Sequence, residues 1–260
     1  MFLLVFSTLL DYFSGIQIEK SKSVKESKFW FWLSIIINLG FLGIFKYYNF
    51  FTDNINTVLG FNVANGEGLP YLDMILPIGL SFHTFQAMSY TIEVYRGVQK
   101  AERHFGIYAL YVMFYPQLVA GPIERPQNIL HQFYEKHDFN YEKAISGMRL
   151  MLWGLFKKVV VADRLALYVD AVYDNPQNYE GFPLIWATLF FAFQVYCDFS
   201  GYSDIALGSA RVMGFDLLKN FNLPYWSKSI SDFWRKWHIS LTSWFTEYLF
   251  TPLNIVFRDM

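Results

Sequence analysis

Residues 230–245, ISDFWRKWHISLTSWF, place Arg235, Lys236 and His238 among three tryptophans and directly beside an apolar run. An imidazole can take or give a proton near neutral pH. A guanidinium can hold a phosphate or a carbonyl oxygen. The preceding Ser229–Asp232, SISD, has the form of a capping box, which predicts a helix opening there. On that helix Trp234, Trp237, His238 and Leu241 fall at i, i+3, i+4 and i+7 and form one face, with Arg235 and Lys236 pointing elsewhere. An aromatic belt at a membrane interface accounts for the same pattern, so belt and site stand equally on these residues.

A second constellation lies in residues 193–208, FQVYCDFSGYSDIALG. Gln194, Asp198 and Tyr202 recur every four residues and share a helical face. Gly201 permits close approach of a neighbouring helix. The face reads either as a polar clasp between helices or as a pocket wall, with Asp198 hydrogen-bonded or paired. Asp204 falls on another face, so the two carboxylates do not form an acid/base pair. His83 in LSFHTFQAMSY lies mid-helix with Gln86 and Tyr90 on its face, and a hydrogen bond to a neighbouring helix is its favoured role. His104, His131 and His137 lie in polar segments and read as solvated. There is no histidine pair at metal-ligand spacing, no HExxH and no glycine-rich phosphate loop, so no metal is expected. Cys197 is the only cysteine, which excludes an internal disulfide and a cysteine-built zinc site.

The elements that must position these groups are membrane helices. Of the 260 residues, 54% are hydrophobic, 21% aromatic and only 17% charged, against about 25% charged in soluble domains. A net charge of −1 argues against a nucleic-acid surface. Residues 29–45, 74–92, 105–123 and 182–197 contain no Asp, Glu, Lys or Arg. A spanning helix needs roughly 17–25 mostly apolar residues, and backbone groups in lipid must pair internally. The expectation is an all-α polytopic membrane protein. Lys20, Lys22, Lys25 and Lys28 follow the first segment, and Arg96, Lys100 and Arg103 follow the 74–92 run. The positive-inside rule places both loops in the cytoplasm. Residues 145–168 alternate apolar turns with Arg149, Lys157, Lys158, Asp163 and Arg164, as in an interfacial or tilted helix whose basic side chains snorkel. YDNPQNYEGFP reads as a loop, and residues 1–260 as a single membrane domain.

The segment PYWSKSISDFWRKWHISLTSWFTEYLFTPL closely resembles the signature of the membrane-bound O-acyltransferase family, in its bacterial branch. Relatives of that branch include the alginate O-acetyltransferase membrane subunit and the teichoic-acid D-alanyl transferase. The resemblance runs along the chain through LGIFKYYNFF, LPIGLSFHTFQAMSYTIEVYRG, FYPQLVAGPIERP, GLFKKVVVADRLA, QVYCDFSGYSDIALGSARVMGF and NFNLPY. It implies a ring of transmembrane and tilted helices around a tunnel across a locally thinned membrane. Its wall would include Gln86, Asp198, Tyr202, Asn220, Asn222, Arg235 and His238. The implied localisation is the bacterial inner membrane. Acyl groups, acetyl in the first instance, would pass from a cytoplasmic donor such as acetyl-CoA or an acyl-carrier thioester, with no permanently bound cofactor. The implied partners are a periplasmic or extracellular acetyltransferase, a polysaccharide as final acceptor and the lipid bilayer.

His238 matches the first of two family signature histidines. The second, the family's presumed catalytic base, belongs to a Gly-x-Trp-His-Gly type motif expected beyond residue 260, so the sequence resembles the middle of a longer protein and the fragment alone is expected to be inactive. His238 then suits donor positioning or support of the thioester, and Arg235 a donor phosphate or carbonyl. His83 stands where relatives carry an aromatic residue, which favours its structural role. Thr246 and Glu247 replace an Arg-Asp pair and receive no catalytic role. A transporter or channel using the same polar residues, and a non-catalytic membrane scaffold, are the alternatives; no inverted repeat favours the former.

Overall fold

A computed structural model describes residues 2–61, 68–72, 79–119 and 121–258. Every regular element among them is helical, and the chain divides into two compact units, residues 1–113 and 114–260.

The first unit contains α1 (Phe2–Lys20), α2 (Val24–Leu42), α3 (Tyr48–Leu59), α4 (Leu80–Tyr95) and α5 (Phe105–Val112). The Ser23 hydroxyl caps α2 by accepting the Glu26 N–H. A π-helical turn, Gly43–Tyr47, carries α2 into α3, so Val24–Leu59 is a 36-residue rod long and apolar enough to cross a membrane. Its polarity is inverted relative to a soluble helix. Trp32, Ile36 and Leu39 face outward while Ser34 and Asn38 are buried, the arrangement expected where the surroundings are lipid. Ser34 and Asn38, one turn apart, both serve Asp11 of α1. The Ser34 hydroxyl donates to Oδ1 at 2.6 Å, and the Asn38 amide lies 2.9 Å from each carboxylate oxygen. This clasp was not anticipated from the sequence. The histidine expected to bond a neighbouring helix does so: His83 Nε2 on α4 lies 2.8 Å from the Ser7 hydroxyl on α1.

Two expected spans differ from the structure. The described part of the 74–92 run is helical from Leu80, and residues 73–78 lie outside the described residues. The 105–123 run is not one helix. α5 ends at Val112, and the chain turns through a short 3₁₀ segment at Tyr115–Gln117. Pro116 disfavours helical backbone at the preceding residue, and Gly121 and Pro122 add two further interruptions.

The second unit is built on α7 (Tyr141–Leu155), α8 (Asp163–Tyr173) and α9 (Phe182–Val212), preceded by the single-turn α6 (Pro126–Ile129). α7 and α8 are joined without a break by a seven-residue π-helical stretch, Phe156–Ala162. α9 has 31 residues and is, among the described residues, the other helix long and apolar enough to span. At 1.5 Å per residue it is about 46 Å long, more than a bilayer core of roughly 30 Å. Its C-terminal half packs on α7 at backbone distance. A Cβ on Gly201 would lie 2.7 Å from the Gly154 carbonyl oxygen, and one on Gly208 2.6 Å from that of Gly147.

The long basic side chains of 145–168 do not all snorkel outward, as the sequence suggested. Lys157 turns inward, only 9% exposed, and its ammonium sits 2.8 Å from Asp204 and 2.9 Å from the Ser200 hydroxyl of α9. The π-helical stretch shifts the helix register where Lys157 leaves it. Lys158 remains 44% exposed and bridges Asp163 and Asp198 at 2.8 and 2.6 Å. The chain closes with α10 (Ile230–Lys236), α11 (Ile239–Phe245), a π-helical turn Thr246–Phe250 and α12 (Thr251–Arg258).

Candidate active site

The helix start expected at Ser229 is capped, its hydroxyl accepting the Asp232 N–H at 3.1 Å. The box is not closed reciprocally: the Asp232 carboxylate accepts the Lys228 N–H at 3.4 Å and the Lys236 ammonium at 2.7 Å. The helix it opens ends after seven residues. Trp237 is extended, and His238 adopts a left-handed conformation with φ 44° and ψ 55°. Non-glycine residues rarely adopt this region. The single face expected across Trp234, Trp237, His238 and Leu241 therefore does not exist, because the two halves belong to different helices.

Tertiary hydrogen bonds impose the break. The segment at residues 220–222 runs alongside it: Asn222 N–H donates to the Lys236 carbonyl at 3.0 Å, and Ile239 N–H to the Asn220 carbonyl at 2.9 Å. The buried Asn220 side chain accepts the Ser240 hydroxyl at 2.6 Å and lies 3.4 Å from Ser203 of α9. Ser240 in turn accepts the Ile123 N–H at 3.0 Å. The second unit thus ties together three loops, at 121–126, 218–223 and 236–240, around the break. The pinned His238 ring meets Phe199 of α9 edge-on at 4.7 Å. His238 is half-buried, at the junction of two short helices rather than within either long span, and burial holds its imidazole down near 4. It is therefore neutral at physiological pH, the state able to accept a proton or a hydrogen bond.

Asn220, Asn222 and His238, implied by resemblance, are brought together by this hydrogen-bonded frame. Arg235 is exposed and lines a cleft of about 400 Å³ with Ile239, Thr242, Ser243, Thr246 and Glu247. Asp198 is 51% exposed at its side chain and held by Lys158, as a paired carboxylate was expected to be. Tyr202 is half-buried. Asp204 faces a different way, toward Lys157, as its spacing predicted. Gln86 lies in the first unit, buried and locked reciprocally to Tyr111: its amide donates to the Tyr111 carbonyl, and the Tyr111 hydroxyl to the Gln86 carbonyl at 3.1 Å.

Residues 103–258 match the family described as membrane-bound O-acyltransferases. The chain belongs to this family. The probable alginate O-acetylase AlgI of Pseudomonas aeruginosa is 37% identical over 97% of this chain and 48% of its own length. The peptidoglycan O-acetyltransferase of Helicobacter pylori is 35% identical over 99% of this chain and 54% of its own. The teichoic acid D-alanyltransferase of Bacillus subtilis is 26% identical over 70% of this chain and 46% of its own. The chain spans about half the length of these relatives.

Two groups in this chain were missed as site-building residues. The GPIERP loop places Arg125 almost wholly buried, its guanidinium pairing with Glu247 at 3.0 Å and lying over the Tyr248 ring at 4.6 Å. Glu247, given no role from sequence, therefore fastens the helix after His238 to the loop that Ser240 holds. Glu124, in the same loop, is fully buried and accepts the Leu218 N–H. Burial raises its carboxyl to about 7, and the Leu218 N–H opposes the rise.

Between pH 4.5 and 7 the folded state then binds more protons at Glu124 than the unfolded chain. This contribution is present at the acid end and is lost as pH rises through 7. Glu124→Gln should flatten that dependence. Thermal midpoints at pH 5 and pH 8 should differ more in the wild type than in the variant, by the equivalent of roughly 1–3 kcal/mol; an equal difference in both would show that Glu124 does not titrate in this window.

The adjacent lysines should separate just as clearly. Lys157→Met strands Asp204 and Ser200 and is expected to cost about 1–3 kcal/mol. Lys158→Met, at an exposed pair, should cost less than about 1 kcal/mol. Comparable losses in thermal midpoint for the two variants would contradict the burial difference.

Proposed function

We propose that the full-length protein transfers an acyl group, acetyl in the first instance, from a cytoplasmic thioester donor to hydroxyl groups of a cell-envelope polysaccharide. Family membership and the O-acetylase, O-acetyltransferase and D-alanyltransferase names of its relatives support acyl transfer. Alginate, peptidoglycan and teichoic acid are hydroxyl-bearing polymers, which supports the acceptor class. The observation that carries the site assignment is His238, a neutral imidazole pinned in an uncommon backbone conformation by three loops. Strain of this kind persists only where the surroundings over-determine it, and it concentrates at functional sites.

In the reaction the acceptor oxygen attacks the thioester carbonyl carbon while a base takes the hydroxyl proton. The C–O bond forms, the C–S bond breaks, and the thiolate leaves and is protonated. His238 orients the donor carbonyl, and Arg235, which lines the neighbouring cleft, contacts the donor. The family's second histidine, outside residues 1–260, supplies the base. The proposed setting is a multi-pass inner-membrane protein whose helices ring a tunnel, with a periplasmic acetyltransferase completing delivery to sugar.

Reconstituting the full-length protein in vesicles with acetyl-CoA on the cytoplasmic face tests this reading. Free thiol should appear in step with ester on the acceptor. Movement of solute without thiol release would replace the enzyme by a transporter.

A further inference from the structure

Asn220 also lines a largely polar pocket of about 300 Å³, whose wall includes Ser203, Asp204, Arg211 and Lys219 along with the apolar Leu150 and Leu207. Its charge is unbalanced. The Asp204 carboxylate is met by Lys157 from within the bundle. Arg211 donates to a neutral group, the Ser146 hydroxyl, at 3.0 Å. Neither Arg211 nor Lys219 forms an ion pair among the described residues, whereas nearby Lys143 and Lys136 each have a carboxylate. Two unneutralised cations, a buried amide and a hydroxyl thus line one cavity.

The pocket's position fixes which compartment it serves. The segment before α9 carries Asp170, Asp174 and Glu180 and no Lys or Arg, while Arg211, Lys219, Lys228, Arg235 and Lys236 mark the end of α9 and the segment after it. The positive-inside rule puts this end in the cytoplasm.

We propose that this pocket binds a phosphate ester, with Arg211 and Lys219 as its anion-holding groups. Guanidinium and ammonium groups bind phosphate oxygens through charge-assisted hydrogen bonds, and arginine can bind bidentately. The pocket volume accommodates one or two phosphate groups. Asn220 links it to the His238 break, so a phosphate-bearing ligand seated here is anchored one residue from that frame. Assigning the phosphate to the acyl donor rests on the acyl-transfer reading; phosphate binding itself does not. A phospholipid headgroup offers the same chemistry.

The test is isothermal titration of the full-length protein with inorganic pyrophosphate, coenzyme A and the phosphate-free pantetheine. Coenzyme A should bind at least tenfold tighter than pantetheine and be displaced by pyrophosphate. Lys219→Gln, at an exposed loop position that does not hold the fold, should weaken coenzyme A and pyrophosphate about tenfold, the usual scale for one charged hydrogen bond. Lys219→Arg should restore binding, and Arg211→Gln should repeat the loss. In nanodiscs, pyrophosphate displaced by phosphatidylglycerol but not by coenzyme A would keep the phosphate site and make the ligand a lipid. Absence of pyrophosphate binding, or affinities indifferent to both substitutions in folded protein, would overturn the proposal. Thiol release measured on the same preparations tests acyl transfer separately, so the two readings can fail independently.

Discussion

Changing His238 to Gln in the full-length protein is expected to leave a folded, extractable protein with at least about 100-fold less acyl transfer, the lower end of what a positioned proton-transfer or hydrogen-bonding group contributes. Gln retains a donor and an acceptor and can rest against Phe199, which the imidazole meets at 4.7 Å. It must also occupy φ 44° and ψ 55°, a cost of about 1 kcal/mol beyond glycine that His already bears. Stability should therefore change little. The kinetic split identifies the role: lost donor positioning raises KM, whereas a lost base lowers kcat. Because burial holds the imidazole near 4, His238 should stay neutral from pH 5 to 8, and any acid limb it causes should fall below pH 5. His238→Asn, better suited to left-handed backbone, distinguishes strain from chemistry; if Asn is as inactive as Gln, backbone relief is not the cause. Wild-type acylation by His238→Gln at matched abundance would make this residue part of an aromatic belt.

What the sequence revealed about this region was local. The SISD cap, the close approach at Gly201, the His83 hydrogen bond and the pairing of Asp198 each depend on short-range spacing or on a lone polar group in an apolar run, and each is present. The break at Trp237–His238 was hidden, because nothing in DFWRKWHISL forbids helix. Backbone bonds between Asn222 and Lys236 and between Asn220 and Ile239, partners well beyond one helical turn apart in sequence, impose it. The same holds for Arg125 and Glu247, which are 122 residues apart, and for the inward turn of Lys157, which depends on a π-helical register shift invisible to a 3.6-residue period. Asp11 was overlooked although Ser34 and Asn38, four apart in an apolar run, were its available signal.

Gly201→Leu should be the most damaging single substitution in the second unit. Gly154 faces Gly201, and Gly147, two turns earlier on α7, faces Gly208, two turns later on α9; these pairs bring the helices together through backbone atoms. A Cβ at any of the four would sit 2.5–2.7 Å from a carbonyl oxygen on the facing helix. Backbone cannot move aside as a side-chain tip can, so the helices must separate. Close small-residue contact is also a main source of helix association in lipid, where apolar burial offers little drive. Gly201→Ala should cost roughly 1–3 kcal/mol, the range for overpacking, and Gly201→Leu more than about 3 kcal/mol, seen as loss of folded protein after detergent extraction. Gly40 in α2 provides the control: it is also helical, yet nothing lies within 4 Å of a Cβ there. Gly40→Ala should stabilise slightly, by about 0.5–1 kcal/mol of helix propensity. The loss at Gly201 should extend to function, because α9 carries Asp204 to Lys157, Ser203 to Asn220 and Phe199 to His238. Separating α7 from α9 moves these three contacts together, so Gly201→Ala should lower acyl transfer even in the fraction that remains folded. If Gly201→Leu and Gly40→Leu proved equally tolerated, the backbone contact would not be what holds α9 in register.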